Sequence, residues 1–209
     1  HSNDHIALEE DLYLLQREGF SVVSLDEICA HIIRGSNFFT KTNKVVGLSF
    51  DDGTDYDYFD LQHETCGFQK SFYSLLQDSV RRKKRLFSKR WKPHATCFVI
   101  ASPKDRVILD RTSMAGADRW RDIWWLRAIN SGILQVGNHS WDHLSEALPE
   151  VAHSRQSKGN FFSVDNWDDA DKQIRQSSDY IKKIAPNPGM HLFAYPYGEY
   201  SEFLVEEYL

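Results

Sequence analysis

The sequence predicts an α/β fold built on a mainly parallel sheet, and three observations carry that prediction. Short apolar runs bounded by polar residues alternate along the chain with segments of helical periodicity, the pattern of repeated βα units. Polar residues with chemical potential follow directly after three of those runs, where functional residues gather at the carboxyl ends of parallel strands. No stretch approaches about 18 consecutive apolar residues, which excludes a membrane-spanning helix. The length of 209 residues suits about one domain, and 41% apolar, 26% charged and 13% aromatic residues are ordinary for a globular chain.

The elements follow in order. Residues 6–18 place Leu8, Leu12 and Leu15 on one helical face, and Gly19 marks the stop. Residues 20–23 read as a short strand. Ser24 and Glu27 form a capping box, opening a helix that buries Leu25, Ile28, Ile32 and Cys29 and ends at Gly35. Residues 36–43 are a loop, and 44–50 an apolar run read as a buried strand. Residues 68–86 carry apolar positions Phe68, Phe72, Leu75, Leu76 and Val80 at helical spacing. A second buried strand covers 94–100, a helix 120–130 with its stop at Gly132, and a third strand 133–137. A helix over 168–185 turns Ile174, Ile181 and Ile184 inward; a fourth strand covers 190–194, and a last helix begins at Ser201.

Charge and cysteine content narrow the function classes. The segment 81–92 (RRKKRLFSKRWK) holds 8 basic residues and no acid, leaving 17 basic against 30 acidic side chains elsewhere. A globally basic nucleic-acid binder is thereby excluded, and the run itself reads as a solvated helix end. Cys29, Cys66 and Cys97 form no CxxC pair, so a cysteine zinc site is unsupported, and Cys97 reads as a small buried side chain. Trp120, Trp124 and Trp125 read as core, with one of the adjacent pair half covered because neighbours on a helix point about 100° apart.

Three junctions carry the chemistry. Asp51, Asp52 and Gly53 follow the first of these strands, residues 138–143 (NHSWDH) follow the third, and residues 195–198 (YPYG) follow the fourth. Taken singly, each is commonly a turn, or a pair of capping histidines. Their joint placement after three separate strands points to a site. His139 and His143, read as one helical turn apart, can face one ion. Two imidazoles and a carboxylate leave an open coordination position, the catalytic form of a zinc site, and the spare aspartate can act as a base. Asn138 and Asp142 read as helix caps, with support of the imidazoles as the sharper role. Asp55 and Asp57 read as solvated.

VVGLSFDDG (45–53) resembles the first motif of the polysaccharide deacetylases of the NodB-homology class, carbohydrate esterase family 4. VGNHSWDH (136–143) resembles the second motif, His-Ser/Thr-x-x-His, and FAYPYG (193–198) the third, Arg-x-Pro-Tyr-Gly. HATCFVI (94–100) is similar to the strand between the first two. The leading helix–strand–helix resembles the extension of exopolysaccharide deacetylases of the poly-N-acetylglucosamine type.

The resemblance implies a distorted, incomplete (β/α) barrel with parallel strands: residues 1–43 as an extension packed on it, and 44–209 as the deacetylase domain with its C-terminal part missing. It implies a divalent metal, Zn²⁺ or alternatively Ni²⁺, Co²⁺ or Fe²⁺, held by Asp52, His139 and His143. It implies Asp51 as general base and the backbone N–H of Tyr197 as oxyanion donor. The partner is a polysaccharide of N-acetylhexosamine, with Trp141, Tyr58 and Tyr195 as candidate sugar contacts and a secreted, periplasmic or cell-envelope location. O-deacetylation and glycan binding without turnover are the alternatives. Two departures stand out: Ala194 occupies the arginine position of the third motif, and the family's late acid histidine has no counterpart before Leu209.

Overall fold

The structure, a computed structural model, describes residues 4–35, 44–86, 91–186 and 192–209, and the side chains of 82–86 lie outside the description. The predicted loop 36–43, residues 87–90 of the basic run and the start of the fourth strand at 190–191 therefore fall outside the described residues. The chain divides into two compact units.

The first unit comprises His1–Phe50, Asp55–Cys97 and Arg127–Gln135. Helix α1 (His5–Arg17) is capped by Asp4, whose carboxylate accepts from Ala7 N–H. Strand β1 (Ser21–Val22) leads to α2 (Leu25–Ile33), where Ser24 accepts from Glu27 N–H as the capping box predicts. Ile32 of α2 is 64% exposed rather than inward. The predicted strand over 44–50 is split at Gly47 into β2 (Val45–Val46) and β3 (Leu48–Phe50). A side chain at Gly47 would strike Leu25 and Ile28, so the glycine lets α2 lie on the strand.

Two predictions on this unit are corrected. Phe68 is not in a helix: β4 (Leu61–His63) and β5 (Gly67–Gln69) form an antiparallel hairpin, and α3 (Phe72–Leu86) begins later. Asp60 accepts from Ser71 N–H and Oγ just before that helix and ends the hairpin there. Asp55 and Asp57 are buried, not solvated. Leu75 and Leu76, two of the apolar positions at helical spacing, are fully buried, each contributing about 1.5–3 kcal/mol. Gln16 of α1 donates to Ser79 O across to α3, and Trp91 Nε1 donates to Ser79 Oγ. Strand β1 pairs in parallel with β2, and β3 in parallel with β6 (Ala95–Val99), in register Phe50↔Cys97. Cys97 is buried as expected.

The second unit comprises Asp51–Thr54, Phe98–Leu126 and Val136–Leu209. Helix α4 (Pro103–Ser113), not anticipated from periodicity, is capped by Ser102 and starts on a proline. The predicted helix over 120–130 shortens to α5 (Trp125–Asn130), whose residues from Arg127 on belong to the first unit. Trp124 and Trp125 are both fully buried rather than one being half covered. Strand β7 is Leu134–Asn138. The predicted helix over 168–185 is α6 (Trp167–Ala170), a π-helical turn (Asp171–Arg175) and α7 (Gln176–Ile184) in succession. The fourth strand reduces, among the described residues, to a parallel bridge between Asn138 and Phe193. The C-terminal segment is helical, ending in a π-helical turn (Leu204–Tyr208). Ile100, Leu109, Leu144, Leu148, Phe161 and Leu204 belong to this unit's core.

The strand order β3–β6–β7 is parallel-sheet topology with helical crossovers, as predicted. Among the described residues the parallel strands do not close into a barrel, which agrees with the expectation of a distorted or incomplete one. Among the described residues, no helix is long and apolar enough to cross a membrane.

Candidate metal centre

All the residues singled out at the strand junctions lie in the second unit, where the chain leaves extended structure. Asp52 has φ +72°, a left-handed backbone that turns the loop immediately after Asp51. Gly53 continues at φ +74°, and a Cβ there would sit 2.4 Å from Val99 Cγ1, so no other residue fits without displacement. The Asp52 carbonyl accepts from Ile100 N–H (3.3 Å) and from Trp120 Nε1–H (2.9 Å).

The two histidines reach the site by a different route from the predicted helical turn. Residues 139–144 are a loop with Ser140, His143 and Leu144 at positive φ. Buried side chains hold this loop. Asn138 donates to Ile174 O and Ser178 Oγ and accepts from Ser140 N–H and Ser177 Oγ–H. Asp142 accepts from Leu144 N–H, Ala152 N–H and Gln173 Nε2–H. Among the described residues neither caps a helix after the histidines nor hydrogen-bonds an imidazole; both fix the backbone around them. Ser140 Oγ accepts from His143 N–H at 2.9 Å.

Asp52, His139 and His143 converge. Their donor atoms all lie within 4.8 Å of one another, and Asp52 Oδ1 is 3.8 Å from Nε2 of each histidine. That spacing is too long for direct hydrogen bonds. A tetrahedral zinc site with bonds of about 2.0–2.2 Å spaces its donors roughly 3.3–3.6 Å apart. The donor set therefore fits a small divalent ion.

His139 Nδ1 lies 2.9 Å from the carbonyl of Ala194. A carbonyl only accepts, so Nδ1 carries the proton and Nε2 presents its lone pair toward Asp52. Burial, with His139 adding to it, pushes the His143 imidazole down to about 3, which keeps it neutral and able to ligate. Burial raises the Asp52 carboxyl, opposed by His139 and assisted by Asp51.

Asp51 is exposed, beside the ligand cluster rather than in it. Tyr197 has φ +61°, and its ring packs edge-on against His143 at 4.5 Å. Burial, with Glu146, Asp52, Glu199 and Asp142 nearby, pushes its phenol up to about 12. Trp141 is half-buried with its ring edge-on to Tyr180, and Tyr195 packs on Phe193 and Tyr200. Tyr58 belongs to the first unit and stacks on Tyr73.

Sequence reasoning missed Trp120, Gln173 and Ser177, which act on the loops from 31 to 68 positions away. It also missed His153 and Asp169, a buried pair 3.5 Å apart. A Ser-Pro-x-Asp start at Ser102 was the one local signal available for α4.

The sequence matches the polysaccharide deacetylase family over residues 40–208. No curated protein matches the chain. Among solved structures, the chain resembles BA0330 of Bacillus anthracis (18% identity, TM-score 0.56, 96% of this chain and 46% of that one). It also resembles BC0361, a polysaccharide deacetylase from Bacillus cereus (18% identity, TM-score 0.51, again 96% and 46%). The Streptococcus pyogenes deacetylase PplD, solved in complex with acetate, shares 19% identity at TM-score 0.56, over 97% of this chain and 71% of that one. The chain thus spans about half the length of the two Bacillus proteins it resembles.

Proposed function

The chain belongs to the polysaccharide deacetylase family, and from that premise we propose that it is a metal-dependent hydrolase removing N-acetyl groups from a polysaccharide of N-acetylhexosamine. The observation that carries the reading is the convergence of one carboxylate and two imidazoles beside a second, exposed carboxylate.

Asp52, His139 and His143 would hold the ion, Zn²⁺ by donor type, with Ni²⁺, Co²⁺ and Fe²⁺ also accommodated. When bound, such an ion polarises a carbonyl and makes water a stronger nucleophile near neutral pH. The protein does the rest. Asp51, exposed and not among the converging donors, takes the proton from the attacking water. The backbone N–H of Tyr197, in a turn set by Pro196, donates to the oxygen that becomes negative when the acetamide carbonyl is attacked. The His139–Ala194 bond fixes the imidazole, so its Nε2 stays on target. Water adds to the carbonyl carbon as its proton passes to Asp51; the C–N bond breaks as the nitrogen takes a proton, from Asp51 or solvent, and acetate and a free amine leave. Trp141 and Tyr195 are the proposed sugar contacts. An N-terminal extension over 1–43 and a hydrolase domain over 44–209 belong to the same reading.

The test is acetate release from N-acetylglucosamine oligomers, run alongside an O-acetylated glycan, with chelated and metal-restored protein. Release from the amide substrate that stops on chelation, and is lost in His139→Ala, is expected. Release from the ester alone would make the protein an O-deacetylase. Metal binding with release from neither would make it a glycan-binding relative.

A further inference from the structure

The carboxylate of the proposed metal centre is carried on a backbone that non-glycine residues seldom adopt, since Asp52 stands at φ +72°. Something must hold that peptide in place. The donors that meet its carbonyl are Ile100 N–H, at a long 3.3 Å, and the indole N–H of Trp120, at 2.9 Å from 68 positions away.

Trp120 is itself held firmly. It is 7% exposed, and its own carbonyl accepts from Arg106 Nη1 at 3.2 Å. Arg106 is buried, lies over the Trp125 ring and pairs with Asp122 at 2.7 Å. Asp122 Oδ2 also accepts from the Tyr180 hydroxyl at 2.6 Å. A continuous chain of polar contacts, Tyr180–Asp122–Arg106–Trp120, therefore ends on the Asp52 carbonyl.

We propose that Trp120 is a positioning residue for the metal centre: its indole N–H locks the Asp52 peptide so that the carboxylate faces Nε2 of both histidines. This rests on the reading of Asp52, His139 and His143 as metal ligands. The competing role is packing, since Trp120 is also part of the unit's core. Packing needs the ring; positioning needs the N–H, because an indole nitrogen only donates and a phenyl ring has no donor. Removing the N–H while keeping the ring separates the two.

The experiment is a Co²⁺ titration of metal-free protein, followed by visible absorption, which reads the ligand field and the affinity without turnover. Trp120→Phe and a protein carrying benzothienylalanine at position 120, which replaces the N–H with sulfur in a ring of nearly the same size, are compared with wild type. Both are expected to bind Co²⁺ about 10–100-fold more weakly, the usual effect of losing a support behind a ligand, with an altered absorption band. The benzothienyl protein should unfold in the metal-free state at the wild-type temperature. Trp167→Phe, which alters an indole that is 57% exposed, should bind as wild type does. If Trp120→Phe does not fold, the benzothienyl protein alone decides. Wild-type Co²⁺ affinity in that protein overturns the proposal and leaves Trp120 a packing residue. Failure of wild type to bind Co²⁺, or undiminished binding by both Asp52→Asn and His139→Ala, overturns the metal-centre reading and this proposal with it.

Discussion

The loop after β3 and the loop after β7 bring donor side chains to one point, but they are built in opposite ways. Among the described residues the first, residues 51–54, is held by two hydrogen bonds to the Asp52 carbonyl, and it leaves Asp51 exposed. The second, residues 139–144, is laced by the buried side chains of Asn138, Asp142, Gln173 and Ser177. The difference follows the work proposed for each. Imidazoles that only ligate gain from a rigid frame, because a fixed ring keeps its lone pair aimed. A carboxylate that must take a proton and meet substrate has to remain accessible, so its loop cannot be enclosed in the same way. This more open loop is fixed by the bonds to the Asp52 carbonyl and by backbone shape: Gly53 against Val99, and the left-handed turn at Asp52.

The largest expected effect tests that division directly. Asp51→Asn removes the proton acceptor but no ligand, so turnover should fall by roughly 10²–10⁴-fold, the usual worth of a positioned base, while bound metal stays at the wild-type level. Metal analysis and acetate release on the same sample read both. Metal loss in Asp51→Asn would mean that the two aspartates have exchanged roles.

The opposite effect is expected from the enclosed loop. Asp142→Ala takes the acceptor from the Leu144 and Ala152 amides and the Gln173 side chain at once. Buried donors left unpaired cost about 1–3 kcal/mol each, so the protein should melt well below wild type by calorimetry. Bound metal should fall with it, because His143 is the next residue. A variant with wild-type melting would show that the loop does not depend on this carboxylate.

These two loops also show what a sequence carries and what it hides. The junction residues were legible because ligand types and strand ends are local properties, and Asp52, His139 and His143 do converge. The way in which the histidines converge was not legible. A spacing of four suggests a helical turn, whereas left-handed residues at Ser140, His143 and Leu144 make the same approach possible in a loop. The local bonds to Asn138, Ser140 and Asp142 are common to many turns, and the bonds that fix this one come from Ala152 and the 173–178 segment. The parallel strand order was readable from alternation. The β4–β5 hairpin was not, because Phe68 happens to continue the apolar spacing of α3 while standing 59% exposed. Asp55 and Asp57 were misjudged because burial of a carboxylate depends on partners that are distant in sequence; for Asp57 these include the Cys97 thiol.

A smaller change asks whether backbone shape really fixes the exposed loop. Gly53→Ala puts a methyl group into Val99 at a positive φ. Strain of this kind costs about 1–3 kcal/mol, and Val99 lies in the strand beside the site. The denaturation midpoint should drop accordingly, and Co²⁺ affinity should fall because Asp52 is the adjacent residue. A Gly53→Ala protein with unchanged metal affinity would place the rigidity of this loop elsewhere.

The smallest effect belongs to Ser177, and it measures how redundant the enclosed loop is. Its hydroxyl lies within bonding distance of two oxygens, Asn138 Oδ1 at 2.6 Å and Ser140 O at 3.0 Å. Both have another donor: Asn138 Oδ1 accepts from Ser140 N–H, and Ser140 O from Ala101 N–H. Ser177→Ala therefore removes a hydroxyl without leaving either acceptor wholly unpaired, and it adds no bulk. The expected cost is about 0.5–1.5 kcal/mol, the net worth of an ordinary buried hydrogen bond, with metal affinity close to wild type. Chemical denaturation of the metal-free protein reads the first, and Co²⁺ titration the second. If this single hydroxyl instead weakened metal binding as much as the loss of Asp142 does, the loop would be a chain of single dependencies rather than a redundant net, and the contrast with the loop after β3 would disappear.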